Sequence, residues 1–444
     1  MKYHKMAPEL YAALSSGGSG REALAELVAA QRSKHQLLLL GVAEAAAGHP
    51  EAAVARAGFD LLGRVEQQDQ DAAAAVITHP SVGAWAYRTL NGLRGREPVP
   101  GATPGALAAV AAVAAIRAGV TAEITVPVVG GSVMLPSLGA AGPFDGARAV
   151  VRVTAGGAEV SGGGAVVRVR GQARDRARGW RPLTTLLTQA WPRGAPAAWR
   201  GERFELVADD VDPFRMPAAP GVVSDLDTAS WAAAFRDAWR LLAAGHPGTA
   251  AELAALIRVV VPLATPQEGQ VSSSSPETFG AIALSRPTDP VTLAVTLAHE
   301  VQHVKLSALL DLVQMTVADE GPSRLYAPWR EYPRPASGLL QGTYAYLGVT
   351  RFWERRLAAV TAPSDTALAE FEFSRWRAAA ALGAATLRSS GQLTAAGEQF
   401  VAGVAAALAD LEGVPVRRAA VERAARENAR HRERWLAAHG PVLA

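Results

Sequence analysis

Between residues 7 and 90 the apolar positions recur three and four apart. Leu10 and Leu14 are followed by Leu24 and Leu27, and then by the run Leu37-Leu38-Leu39-Leu40. This spacing predicts helices, interrupted by the turn signal Gly48-His49-Pro50. An Ala-rich stretch at 103–118 reads as another helix, stopped by Gly119. The texture then changes. Ile124-Thr125-Val126-Pro127-Val128-Val129 is a β-type run closed by Gly130-Gly131, and segments 149–153, 166–169 and 204–207 are rich in β-branched and apolar residues. Ser161-Gly162-Gly163-Gly164 is the expected turn of a hairpin. After Asp212-Pro213-Phe214 the helical pattern returns at 231–261 and continues nearly to the end, with 272–275 a short serine loop. The expectation is an α+β chain, predominantly helical: a helical N-terminal region (1–118), a β-rich middle (119–215) and a helical C-terminal, metal-binding region (216–444).

Composition narrows the chemistry. The 444 residues can bury a large core, and 49% apolar with 19% charged residues describes a globular chain. Forty-four basic residues nearly cancel 41 acidic ones, leaving a net charge of +3, so the basic pI of about 9.3 comes without a dense cationic stripe. No nucleic-acid partner is expected. The Arg- and Glu-rich segment 415–436 reads as a solvated helix face. Without cysteine the chain has no disulfide, thiolate metal site or cysteine nucleophile. Residues 1–10 lack the apolar core of a signal segment, and Arg117 breaks the Ala-rich stretch well short of membrane-spanning length. A cytoplasmic protein with no membrane contact is expected.

The most informative segment runs from Asp289 to Leu306 and contains His299-Glu300-Val301-Gln302-His303. Asp289 is a good N-cap and Pro290 suits the first helical position. Two histidines four apart share a helix face, so their imidazoles can converge on one ion. The neighbouring positions are apolar, which would make the pair costly to bury without a metal. The alternative is two core histidines with hydrogen-bond partners. Two chemistries suit the motif. In zinc hydrolysis, Glu300 would be general base for a zinc-bound water. In a non-haem iron site, two histidines and a third ligand leave positions for co-substrate and oxygen. Spacing does not choose between them, although Leu306 and Leu309 exclude the extended zinc motif that needs Gly and His there.

Downstream, Pro328-Trp329-Arg330-Glu331-Tyr332-Pro333-Arg334-Pro335 is a proline-stiffened loop whose arginines are suited to bidentate carboxylate recognition. The segment 337–349 reads as a second helix with small residues for close packing. Tyr344, Tyr346 and Trp329 are candidates for contacting a peptide.

Together these segments resemble the His-Glu-x-x-His peptide-modification proteins of bacterial ribosomal-peptide pathways. The resemblance lies in the metal helix with Leu309-Leu310-Asp311-Leu312, in Pro328-Trp329-Arg330 through Arg334-Pro335, and in Gly338-Leu339-Leu340-Gln341-Gly342-Thr343-Tyr344-Ala345. Weaker echoes are Gly179-Trp180-Arg181-Pro182-Leu183, Asp210-Val211-Asp212-Pro213-Phe214-Arg215 and the segment 274–284. One departure is Tyr332, where an aspartate is expected. The resemblance implies an Fe(II)- and 2-oxoglutarate-dependent β-hydroxylase acting on a residue of a precursor peptide. His299 and His303 would be metal ligands, Arg330 or Arg334 would bind the co-substrate's far carboxylate, and Glu300 would orient rather than act as a base. For the third ligand, Glu331 offers a carboxylate and Gln341 a position on the next helix, while Glu320 lies nearer in sequence but beyond the metal helix. A Zn(II) peptidase and a non-enzymatic peptide-binding protein are the rival expectations.

Overall fold

The computed structural model describes residues 4–169, 177–190, 203–216, 221, 223, 226–266, 269–286, 288–317 and 325–440. Six helices come first: α1 (Pro8–Ser15), α2 (Arg21–Ala45), α3 (Ala52–Gln68), α4 (Gln70–Ile77), α5 (Pro80–Leu93) and α6 (Leu107–Ala118). Strands follow: β1 (Ala122–Pro127), β2 (Val133–Leu135), β3 (Gly139–Ala141), β4 (Arg148–Thr154), β5 (Gly157–Gly162) and β6 (Ala165–Val169). Next come β7 (Trp180–Pro182), β8 (Thr184–Ala190) and β9 (Arg203–Ala208), then helices α7 (Thr228–Gly245) and α8 (Pro247–Leu256). Three more strands, β10 (Val259–Leu263), β11 (Ser272–Ser274) and β12 (Ala281–Ser285), lead into α9 (Pro290–Leu310). The chain closes with α10 (Ala336–Ala359), α11 (Pro363–Ser389), α12 (Ala395–Ala409) and α13 (Arg418–His439). The fold is α+β and predominantly helical, with helical ends and a β-rich middle.

Local rules account for the boundaries. Gly119 ends α6 in the left-handed region at φ 65°, where a side chain would be strained. Gly163 and Gly164, both at positive φ, make the tight turn between β5 and β6. The Asp289 side chain accepts from the amides of Val291 and Thr292, and Pro290 opens α9.

The strands form an antiparallel sheet ordered β1-β4-β5-β6, a small sheet β2-β3-β7, and a mixed sheet β11-β12-β10-β9-β8. In the mixed sheet β9, β10 and β12 run parallel, while β8 and β11 are antiparallel at its two ends. Here the sequence expectation needs correction. The pattern predicted helix through residue 261 and a flexible loop at 272–275. Instead Val259–Leu263 and Ala281–Ser285 are wholly buried strands, and Ser272–Ser274 is an end strand. Short apolar runs carry no periodicity that separates a buried strand from a buried helix.

Packing does not follow the three consecutive regions expected from sequence. One core joins Leu14, Leu24 and Leu27 of α1 and α2 to Leu206 of β9 and to α7–α12. A second gathers Leu39 and Val42 from the other half of α2 with α3–α6 and the antiparallel sheet. Helix α2 therefore belongs to both. Among the described residues no helix is long and apolar enough to cross a membrane.

Candidate metal centre

Four elements enclose a cavity of about 530 Å³ beside the histidine motif. Helix α9 contributes His299, Glu300, His303 and Ser307, which fall on one face because they recur at helical spacing. Helix α10 contributes Gly338, Gln341, Gly342 and Tyr346, again a single stripe. The end strand β11 supplies its three serines, and the proline-rich loop supplies Trp329, Arg330 and Arg334.

The two imidazoles converge. Their Nε2 atoms stand 3.1 Å apart, close to the spacing of about 3 Å that two nitrogens about 2.1 Å from one ion require at a right angle. The ring of His303 is held from behind. Its Nδ1–H donates to Gln341 Oε1 at 3.0 Å, and Gln341 Nε2 donates to Ser307 Oγ at 3.2 Å. An amide oxygen only accepts, so Nδ1 is the donor in this bond and Nε2 is the ring nitrogen left to face a metal. This is the partner arrangement that orients metal-ligating histidines. His299 is held well below the usual histidine range, first by burial and then by His303 and Arg330. It is therefore neutral at physiological pH, as a ligand must be.

Glu300 is 2% exposed, and its Oε1 accepts from Ser272 Oγ at 2.7 Å. Its Oε2 is buried with no hydrogen-bond partner among the described residues. A buried carboxylate oxygen left without a donor is costly, and such atoms gather where a ligand or reacting group completes the set.

Glycines let the loop approach. A Cβ on Gly342 would lie 2.4 Å from Trp329 Nε1, and one on Gly338 would lie 2.7 Å from Arg334 Nη2. Trp329 stacks on Tyr346 at 4.7 Å, and Tyr346 packs on Trp376 at 4.4 Å and edge-on to His299 at 5.1 Å. Burial pushes the Tyr346 hydroxyl up to about 12, so it stays protonated. The loop is closed at its neck by paired backbone bonds between Leu325 and Arg334 and pinned from α13. There, His439 Nε2–H donates to the Glu331 carbonyl at 2.6 Å, and Tyr326 hydrogen-bonds His431 at 2.8 Å.

Of the residues expected from sequence, His299, Glu300, His303, Gln341, Arg330, Arg334 and Trp329 come together here. Two do not. Glu331 is exposed outside the cavity, because the turn that aims Arg330 inward points its neighbour away. Tyr344 is 1% exposed in the core, its hydroxyl donating to the Leu14 carbonyl at 2.7 Å. Two residues along a helix is more than half a turn, so Tyr346 takes the cavity position instead. Gln341 serves as the partner of His303. Its oxygen lies on the Nδ1 side of the ring, away from the point where the Nε2 atoms meet. Glu320 lies outside the described residues. Among the described residues no third histidine, aspartate or glutamate completes a three-residue metal cluster. Ser272–Ser274 is the wall that sequence reasoning missed, since a serine run offers no alternation to mark a strand. Comparison of the chain with models of known families gives no match, and comparison with curated proteins gives none either.

Proposed function

We propose that the chain is an Fe(II)- and 2-oxoglutarate-dependent β-hydroxylase acting in the cytoplasm on a residue of a ribosomally made precursor peptide. The supporting observation is that two metal-capable imidazoles and two guanidinium groups line one cavity. A keto acid with a second carboxylate spans such a pair of poles. Ferrous iron, when bound by His299 and His303, supplies oxygen activation coupled to oxidative decarboxylation of the keto acid.

The chain's own residues do the rest. Gln341 keeps the His303 Nε2 lone pair directed at the ion, and burial keeps His299 unprotonated. Arg330 and Arg334 take the far carboxylate, which a guanidinium recognises by its planar fork of donors. The Trp329–Tyr346–Trp376 stack walls the site with apolar surface and limits water. Strand β11 ends its sheet beside the cavity, where an extended peptide can add as a further strand. Glu300, anchored by Ser272, sits where that peptide meets the metal helix and positions it.

The test is turnover. Iron-loaded protein with 2-oxoglutarate in air should form succinate, and removing iron with a chelator should stop it. Arg330→Ala or Arg334→Ala should raise the 2-oxoglutarate concentration needed. Absence of succinate from the loaded protein, with or without candidate peptides, would sink the reading.

The unpartnered Glu300 Oε2 favours a second reading, a zinc peptidase with Glu300 as general base. The two separate by product and by variant. A hydroxylase adds one oxygen to an intact peptide and retains activity in Glu300→Gln, whereas a peptidase cleaves the chain and loses activity in that variant.

A further inference from the structure

A second cavity, of about 680 Å³, shares no residue with the first. It lies between α5 and α6 on one side and the β2–β3 hairpin with β7 on the other. Two sequence motifs without a role at the metal centre meet there: Trp180-Arg181, and Val211-Asp212-Pro213-Phe214. Its volume is in the range of ligand pockets.

The cavity is preformed. Its floor is α6, buried throughout its first ten residues, and small residues, Ala106, Ala109, Ala140 and Gly101, leave the space open. Its wall is fixed by backbone contact. A Cβ would lie 2.2 Å from the Arg181 carbonyl at Gly139, 2.7 Å from the Gly131 carbonyl at Gly142, and 2.9 Å from the Gly142 carbonyl at Gly179. The wall therefore cannot take larger residues without shifting, and three aromatics, Trp85, Trp180 and Phe214, complete it.

Its polar atoms are mostly engaged. Arg181 pairs with Asp210 at 2.5 Å, and Asp212 accepts from the Phe214 amide at 2.8 Å. Apolar walls and three aromatic faces select an apolar ligand. Water held in such a space is poorly bonded, and an apolar group displaces it favourably.

We propose that this cavity is a binding site for a small, ring-bearing apolar molecule, separate from the metal centre. The test uses the full chain and the fluorescent probe N-phenyl-1-naphthylamine. Met134 and Ala140 are paired across β2 and β3 and half-buried against the cavity, so Ala140→Phe and Met134→Phe fill it from an accessible hairpin. Wild type and His299→Ala should bind one probe per chain with equal affinity. Either filling variant, if folded by circular dichroism and melting, should bind at least tenfold more weakly. The proposal is overturned by non-saturable binding to wild type, by loss of binding in His299→Ala, or by wild-type affinity in both folded filling variants.

Discussion

On one side of α9, Lys305 and Gln302 reach across to Glu252 of α8; on another, His299, Glu300 and His303 face an open cavity. The first side is closed and almost fully paired. Lys305 Nζ donates to Glu252 Oε1 at 2.7 Å and to the Gly17 carbonyl at 3.3 Å, Gln302 Nε2 donates to Glu252 Oε2 at 3.2 Å, and Ser19 donates to the same carboxylate. Among the described residues only Gln302 Oε1 lacks a partner there. On the cavity side the two imidazoles face each other across 3.1 Å and Glu300 Oε2 has no partner among the described residues. Both sides bury ionisable groups beside the same apolar helix. The difference teaches where polar burial is structural and where it awaits something. A charge that has its counter-charge and hydrogen bonds holds helices in register, and one short of partners marks a place for a ligand.

The sharpest way to break this contrast is to remove the cation. Lys305→Met leaves Glu252 buried without its counter-charge and should destabilise the fold by about 3–5 kcal/mol. Urea unfolding reads the loss directly. The protein that remains folded should load metal as wild type does, and a loss below about 1 kcal/mol would remove the structural reading of that face.

The next effect tests the role of Gln341 on the cavity side. If it orients His303, Gln341→Ala should weaken metal binding by about 10–100-fold with little change in stability. Calorimetric titration with ferrous ion under anaerobic conditions measures it. Unchanged affinity would leave the His303 bond without a functional meaning.

A smaller effect comes from pH. His246, stacked on Phe352 at 4.3 Å beside the start of α8, is held at about 4 by burial, with Arg355 and Arg356 adding to the depression. Between the unfolded value of 6.5 and the folded value of about 4, the unfolded chain binds a proton that the folded chain refuses. Its contribution is complete above pH 6.5 and is lost as the pH falls through that window, by about 2 kcal/mol. His246→Phe should flatten the acid limb of a stability–pH curve, and an unchanged slope would assign it to other groups.

The contrast between the faces also marks what could be read from sequence. The start of α9 was legible, because Asp289 and Pro290 act locally, and so was the convergence of His299 and His303, because helical spacing fixes it. Gly119 and Gly163-Gly164 were legible as stops and turns for the same reason. The Lys305–Glu252 pair was not, since it joins positions 53 residues apart. Nor was the serine strand that faces Glu300, whose three residues show no alternation. The choice between Tyr344 and Tyr346 depended on which side of α10 meets α1, a tertiary fact. Glu331 and Arg330 are adjacent in sequence, yet only Arg330 lines the cavity, in a loop whose Glu331 carbonyl is held from α13. Local chemistry announced the metal face, and long-range packing decided which candidates reach it.

The most direct test of the central claim needs no peptide. Ferrous iron and then 2-oxoglutarate are added to metal-free protein without oxygen, and the visible spectrum is recorded beside a His299→Ala control. A weak charge-transfer band from chelated keto acid is expected in wild type and none in the variant. A folded, iron-loaded wild type without the band, or an equal band in His299→Ala, would contradict that claim.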